Sequence, residues 1–130
     1  MSAQSLPPSL QAEIEKLQAL QAQLQNVLIL KQQVENEIKE IEKTISEIER
    51  APADARIFKV VGTFLVSVTK DQALNELKER EELLKLNLTS LSRQESLLRK
   101  QIEDLRARIS EALRQMGIQP GGGAQQATGT

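Results

Sequence analysis

Apolar residues recur at alternating steps of three and four along two stretches of this chain. The first runs through Leu10, Glu13, Leu17, Leu20, Leu24, Val27, Lys31, Val34, Ile38, Ile41, Ile45 and Ile48. The second runs through Leu74, Leu77, Glu81, Leu84, Leu88, Leu91, Glu95, Leu98, Ile102, Leu105, Ile109, Ala112 and Met116. Ten of the first twelve positions and eleven of the second thirteen are apolar. A period of 3.5 residues sustained over several heptads specifies a coiled-coil seam. Neither stretch, Leu10–Arg50 or Lys70–Met116, contains Gly or Pro.

The two seams fit each other as an antiparallel pair. Facing residues then have numbers that add to 122, as in Ile48 with Leu74, Ile45 with Leu77, Val34 with Leu88, Leu24 with Leu98 and Leu17 with Leu105. The pairing starts at the connector, and both arms end together. The polar exceptions never coincide: Glu13 faces Ile109, Lys31 faces Leu91, Glu81 faces Ile41 and Glu95 faces Val27. Each arm would extend roughly 60 Å at about 1.5 Å per residue. Glu81, Glu95 and Lys31 are expected to set the register at some cost in stability, a known use of polar seam positions.

Between the arms the period changes to two. Ile57-Phe58-Lys59-Val60-Val61 and Phe64-Leu65-Val66-Ser67-Val68 flank Gly62-Thr63. Glycine at the first central position of a two-residue loop predicts a type II′ hairpin. Val61 then faces Phe64, Val60 faces Leu65, Lys59 faces Val66 and Ile57 faces Val68. One face shows Ile57, Lys59, Val61, Phe64, Val66 and Val68, and the other Phe58, Val60, Leu65 and Ser67. A two-stranded ribbon that is apolar on both faces does not survive alone, and its bare edges invite pairing. The strands are therefore expected to join those of other chains, most simply in a closed barrel. Thr69 and Gln72 have capping-box spacing for the second helix. Gly117, followed by Pro120-Gly121-Gly122-Gly123, stops it.

The resulting fold class is mainly α: a long antiparallel two-helix coiled coil joined by one β-hairpin that contributes to an intersubunit β-barrel. The expected segments are a leader at 1–9, a helix at 10–50, a linker and hairpin at 51–69, a second helix at 70–116 and a flexible tail at 117–130.

Composition narrows the chemistry. Among 130 residues there is no Cys, His, Trp or Tyr and only two Phe, and the formal charge is −1. Thiolate and imidazole catalysis and the commonest transition-metal ligands are excluded. A near-neutral chain with so few aromatics offers neither the basic surplus nor the stacking surface expected of a nucleic-acid binder. Most carboxylates read as solvated helix faces, with Glu42–Lys39 and Lys78–Glu82 as ordinary helix neighbours. Val61-Gly62-Thr63 lacks the glycine run and lysine of a phosphate loop. Catalytic residues, cofactor and metal are therefore all expected to be none. No apolar run is long enough for a membrane span, and Met1–Ser9 lacks the features of a signal peptide. A reducing, cytoplasmic setting fits.

Several apolar residues fall off the seam. Leu28, Ile29 and Leu30 lie mid-arm. Leu83 and Leu86 lie near the connector, where they could pack against neighbouring subunits. Leu6, Ile14, Leu113, Met116 and Ile118 gather at the far ends, beside Leu10, Leu17, Leu105 and Ile109. They read equally well as fraying helix ends or as an apolar tip that grips partners.

The stretch from Leu6 to Leu113 resembles the β subunit of archaeal prefoldin. The resemblance rests on Leu6-Pro7-Pro8, Pro52-Ala53-Asp54-Ala55, Phe58-Lys59-Val60-Val61-Gly62, Leu65-Val66 and Arg93-Gln94-Glu95, in that order. The sequence after Met116, with its glycines and Gln-rich end, departs from the pattern. The α-type subunits of the family carry two hairpins, and this chain has room for one. The resemblance implies a hetero-oligomer of two α-type and four β-type subunits, whose hairpins form a double β-barrel body. It further implies an ATP-independent holdase that binds non-native proteins at its coiled-coil tips and delivers them to a group II chaperonin. On that reading Ile57, Phe58, Val60, Val61, Phe64, Leu65, Val66 and Val68 serve oligomerisation. Leu6, Leu10, Ile14, Leu17, Leu105, Ile109, Leu113 and Met116 would hold clients. The alternative is a structural coiled-coil scaffold or tether that oligomerises through the hairpin and has no client.

Overall fold

A computed structural model describes residues 6–118. The element order is α1 (Pro8–Arg50), β1 (Ile57–Val61), β2 (Phe64–Val68) and α2 (Lys70–Gln115). The chain divides into two units. One joins residues up to Leu28 with those from Gln94, and the other is Ile29–Arg93.

In the unit that holds the start of α1 and the end of α2, the buried side chains among the described residues are Leu10, Leu20, Val27, Leu98, Ile102, Leu105 and Ile109. All are seam positions, and Leu17, Leu24 and Ala112 are half-buried beside them. The α1 helix begins at Pro8, ahead of the expected Leu10. The Gln11 N–H donates to Pro7 O at 3.0 Å, which places Pro8 in the first turn. Proline suits that position, because its missing N–H would have no helical acceptor there. Gln11 Nε2 also donates to Leu6 O at 2.7 Å and ties the preceding chain down. At the other terminus the Ile118 N–H donates to Leu113 O (2.9 Å) and the Gly117 N–H to Arg114 O (3.0 Å). With Gly117 at φ +82°, this is a Schellman stop. It ends α2 at Gln115 and leaves Met116 outside the helix.

In the Ile29–Arg93 unit, Val34, Ile38, Ile41, Ile45, Leu84 and Leu91 are buried along the seam, as is Ala73 off it. Ile48, Leu74, Leu77 and Leu88 are half-buried. Charges flank the seam on both sides. Lys78–Glu49 (3.8 Å) and Lys85–Glu42 (3.7 Å) have numbers that add to 127, and Arg80–Glu37 (2.8 Å) to 117. The seam's constant of 122 lies midway, as an antiparallel pair flanked by charges requires. Glu42 and Lys78, neighbours of Lys39 and Glu82 on their own helices, thus pair across the seam with Lys85 and Glu49. The polar seam residues are drawn to its edge. Glu81 meets Lys85 at 3.4 Å, and in the other unit Glu95 meets Arg99 at 2.8 Å and Glu13 meets Arg108 at 3.4 Å.

The connector is fixed at each joint. Lys70 Nζ donates to Glu49 O (3.0 Å) and Ala51 O (2.9 Å), satisfying carbonyls at the end of α1 with a cation where the helix dipole favours one. The Ala55 N–H donates to Pro52 O at 3.0 Å and closes a turn. The capping box forms as expected. The Thr69 N–H donates to Gln72 Oε1 (3.0 Å), and the Gln72 N–H donates to Thr69 Oγ1 (3.1 Å).

Candidate functional site

Among the described residues, exposed apolar side chains include Ile29, Leu30, Leu83 and Leu86 on the helices, and two surfaces, one in each unit, carry the residues that the sequence singles out. The first is the hairpin. β1 and β2 pair antiparallel in the predicted register: Ile57 opposite Val68, Phe58 opposite Ser67, Lys59 opposite Val66, Val60 opposite Leu65 and Val61 opposite Phe64. Gly62 has φ +61°, and among the described residues no non-glycine has positive φ. This excludes a type I′ turn, which needs positive φ at Thr63 as well, and accords with II′. Val60, Phe64 and Leu65 are 71%, 73% and 69% exposed, and Phe58, Val61 and Val66 are exposed as well. Ile57 and Val68 are half-buried at the base, where they line an open apolar groove with Ile48, Ala73, Leu77 and Leu83. Lys59 Nζ meets Glu76 Oε1 at 2.7 Å across that base. The eight residues assigned to oligomerisation therefore form one ribbon, with six of them on its open part.

The second surface lies where α1 begins and α2 ends. The eight residues assigned there to clients separate into two groups. Leu10, Leu105 and Ile109 are buried, Leu105 to 1% exposure, and their side chains fill the seam. Leu6, Ile14, Leu17 and Leu113 are half-buried, and Met116 is 44% exposed. Ile118, absent from that set, is 42% exposed, and its N–H bonds the Leu113 carbonyl. Leu97 is a further exposed leucine. Its only sequence signal is that it precedes the seam residue Leu98 and so falls off the stripe.

Among the described residues no group of three or more acidic, His or Cys side chains could hold a metal ion. Among them no helix is long and apolar enough to cross a membrane. What the geometry offers is contact: an apolar ribbon with free edges, and an end where the seam stops covering its own side chains.

Known proteins share this arrangement. The family model described as "Prefoldin subunit" matches residues 11–116. The prefoldin subunit beta of Pyrobaculum neutrophilum is 53% identical over 122 residues, covering 94% of each chain. That of Pyrobaculum aerophilum is 52% identical over 124 residues, covering 95% of this chain and 96% of the relative. Among solved structures, the prefoldin beta subunit from Thermococcus strain KS-1 superposes with a TM-score of 0.79 at 45% identity, covering 85% of this chain and 97% of that one. The beta2 subunit from the same strain gives 0.64 at 25% identity, covering 71% of this chain and 98% of that one. A helix–hairpin–helix matched along nearly its whole length by beta subunits, this chain belongs to the prefoldin family of chaperone subunits, on its beta-type branch.

Proposed function

We propose that the chain is a holdase subunit whose hairpin builds an intersubunit β-barrel and whose open helix end holds non-native proteins without nucleotide. Its partners are further copies of itself and α-type subunits, in the ratio of four to two, in the cytoplasm. The held protein passes to a group II chaperonin. The family supports a hetero-oligomer of prefoldin subunits. The observation that carries the client reading is that apolar side chains continue beyond the point where the seam can bury them: Leu6, Ile14 and Leu113 half-covered, Met116 and Ile118 open.

The geometry suits the task. A non-native protein exposes apolar surface in no fixed shape, and a few open side chains bind it weakly. Several subunits fixed in one assembly then raise the affinity by avidity. Leu10, Leu105 and Ile109 contribute differently from the open residues, because they hold the helix ends together beneath the contact surface.

Removing residues 1–17 and 105–130 from the assembled complex should abolish suppression of client aggregation, read by light scattering, and leave the native mass of the oligomer reduced only by the residues removed. The milder pair Met116→Ser and Ile118→Ser should weaken suppression with no change in assembly. Suppression retained in full by the truncated complex refutes the client reading. An intact wild-type assembly that suppresses nothing favours the scaffold alternative.

A further inference from the structure

One exposed apolar surface of the Ile29–Arg93 unit lies outside both the hairpin and the seam. Leu83 and Leu86, 61% and 68% exposed, stand on α2 with Glu79 and Glu82, and the four line one open surface with Lys85 and Thr89. Positions 79, 83 and 86, and likewise 82 and 86, are three or four residues apart, so they are neighbours on one helix face. Through Glu79 and Leu83 this surface continues into the groove at the hairpin base.

Its charge is not balanced. Lys59 pairs with Glu76, Lys78 with Glu49, Arg80 with Glu37, and Lys85 with both Glu42 and Glu81. These cations are all engaged. Glu79 and Glu82 are exposed, and among the described residues neither forms an ion pair or a hydrogen bond. The surface therefore offers two open leucines beside two unpaired carboxylates.

We infer that this face of α2 holds a cationic amphipathic segment of a non-native protein. Apolar side chains at helical spacing cover Leu83 and Leu86, and Lys or Arg beside them reaches Glu79 and Glu82. Helices of globular proteins carry such a stripe, which is covered in the native fold and open before it forms. Charge selects among occupants. The same face of a second copy would bring four unpaired carboxylates together, and an acidic apolar segment would also meet like charge. The α1 helix of a second copy would bring cations, Lys39 and Lys43, but it sets them among Asn36, Glu40 and Glu47, which cannot cover leucines. The inference adds a second, charge-selective surface to the proposed holding function and rests on that function.

The test uses the complex assembled with the α-type subunit. It is titrated with a dye-labelled amphipathic peptide of leucine and lysine, and with a counterpart carrying glutamate in place of every lysine, both read by fluorescence anisotropy. The lysine peptide should bind more tightly. Glu79→Gln with Glu82→Gln keeps good helix formers in place and should weaken the lysine peptide roughly fivefold, as the loss of two exposed ion pairs implies, without weakening the glutamate peptide. A photo-reactive residue at position 86 should capture the lysine peptide. Unchanged affinity of the double variant for the lysine peptide overturns the inference, as does capture of another subunit from position 86 in place of the peptide. With suppression of client aggregation intact, either result leaves the proposed function standing. A wild-type complex that suppresses no aggregation and binds neither peptide refutes that function, and the inference with it.

Discussion

Leu105→Ala should loosen the end of the helix pair far more than any substitution at the exposed positions beside it. Leu105 is 1% exposed, the most completely buried side chain among the described residues. The substitution removes three carbons. At about 0.8 kcal/mol for each buried methylene-sized group, the transfer loss is about 2.4 kcal/mol. Leu→Ala changes in rigid cores cost about 2–5 kcal/mol because a cavity remains. A two-helix seam is open on its flanks, so its neighbours can close over the space, and the lower part of that range applies. A loss of about 2.4 kcal/mol is roughly a fifty-fold rise in the opening equilibrium. Amide hydrogen exchange reads this locally. Peptides covering residues 98–113 of the assembled complex should lose roughly fifty-fold in protection by that arithmetic. Met116→Ala, at a position 44% exposed, should change protection by no more than about 0.5 kcal/mol. Equal losses from the two substitutions would refute the assignment of Leu105 to the seam and of Met116 to the surface. Because opening this end of the seam exposes the apolar side chains it now covers, Leu105→Ala should not lower aggregation suppression, whereas Met116→Ser with Ile118→Ser should lower it.

Further expectations follow from the caps, the polar seam and the ribbon. Thr69→Ala removes the acceptor for the Gln72 N–H at 3.1 Å and should cost about 1 kcal/mol, seen as faster exchange in the first turn of α2. Gly117→Ala meets no atom within 4 Å, so its expected cost of about 1 kcal/mol comes from φ +82° alone; exchange at Ile118 reports it. Glu81→Leu with Glu95→Leu should raise the denaturation midpoint while admitting shifted pairings of the helices, detectable by cross-linking; a variant neither more stable nor less unique in register refutes the register role. Val60→Asp, in the ribbon proposed to join an intersubunit barrel, should reduce the native mass of the complex through the desolvation penalty of a buried charge while helical circular dichroism stays unchanged. An oligomer of unchanged sedimentation would contradict the shared-strand assembly.

Features whose causes are local or periodic could be read from the order of residues alone. The seam was legible because 3.5-residue spacing is a property of the chain alone, and among the described residues every buried side chain but Ala73 lies on it. The hairpin register followed from Gly62 and the alternation around it. The Thr69–Gln72 cap and the Gly117 stop followed from residue types at fixed offsets. The tertiary structure decided what depends on neighbours distant in sequence. Periodicity marks Leu10, Leu105 and Ile109 as apolar and terminal, like Leu6, Ile14 and Met116; only packing of one helix on the other separates the first three, covered, from the rest. Charge partners changed for the same reason. Lys78 and Glu42 have ready neighbours on their own helices, yet the antiparallel register brings Glu49 and Lys85 to them from across the seam. Lys70 capping α1, and the groove between the hairpin base and α2, likewise come from approach in space. A local pattern fixes which face of an element is apolar, but burial depends on what the rest of the chain places against that face.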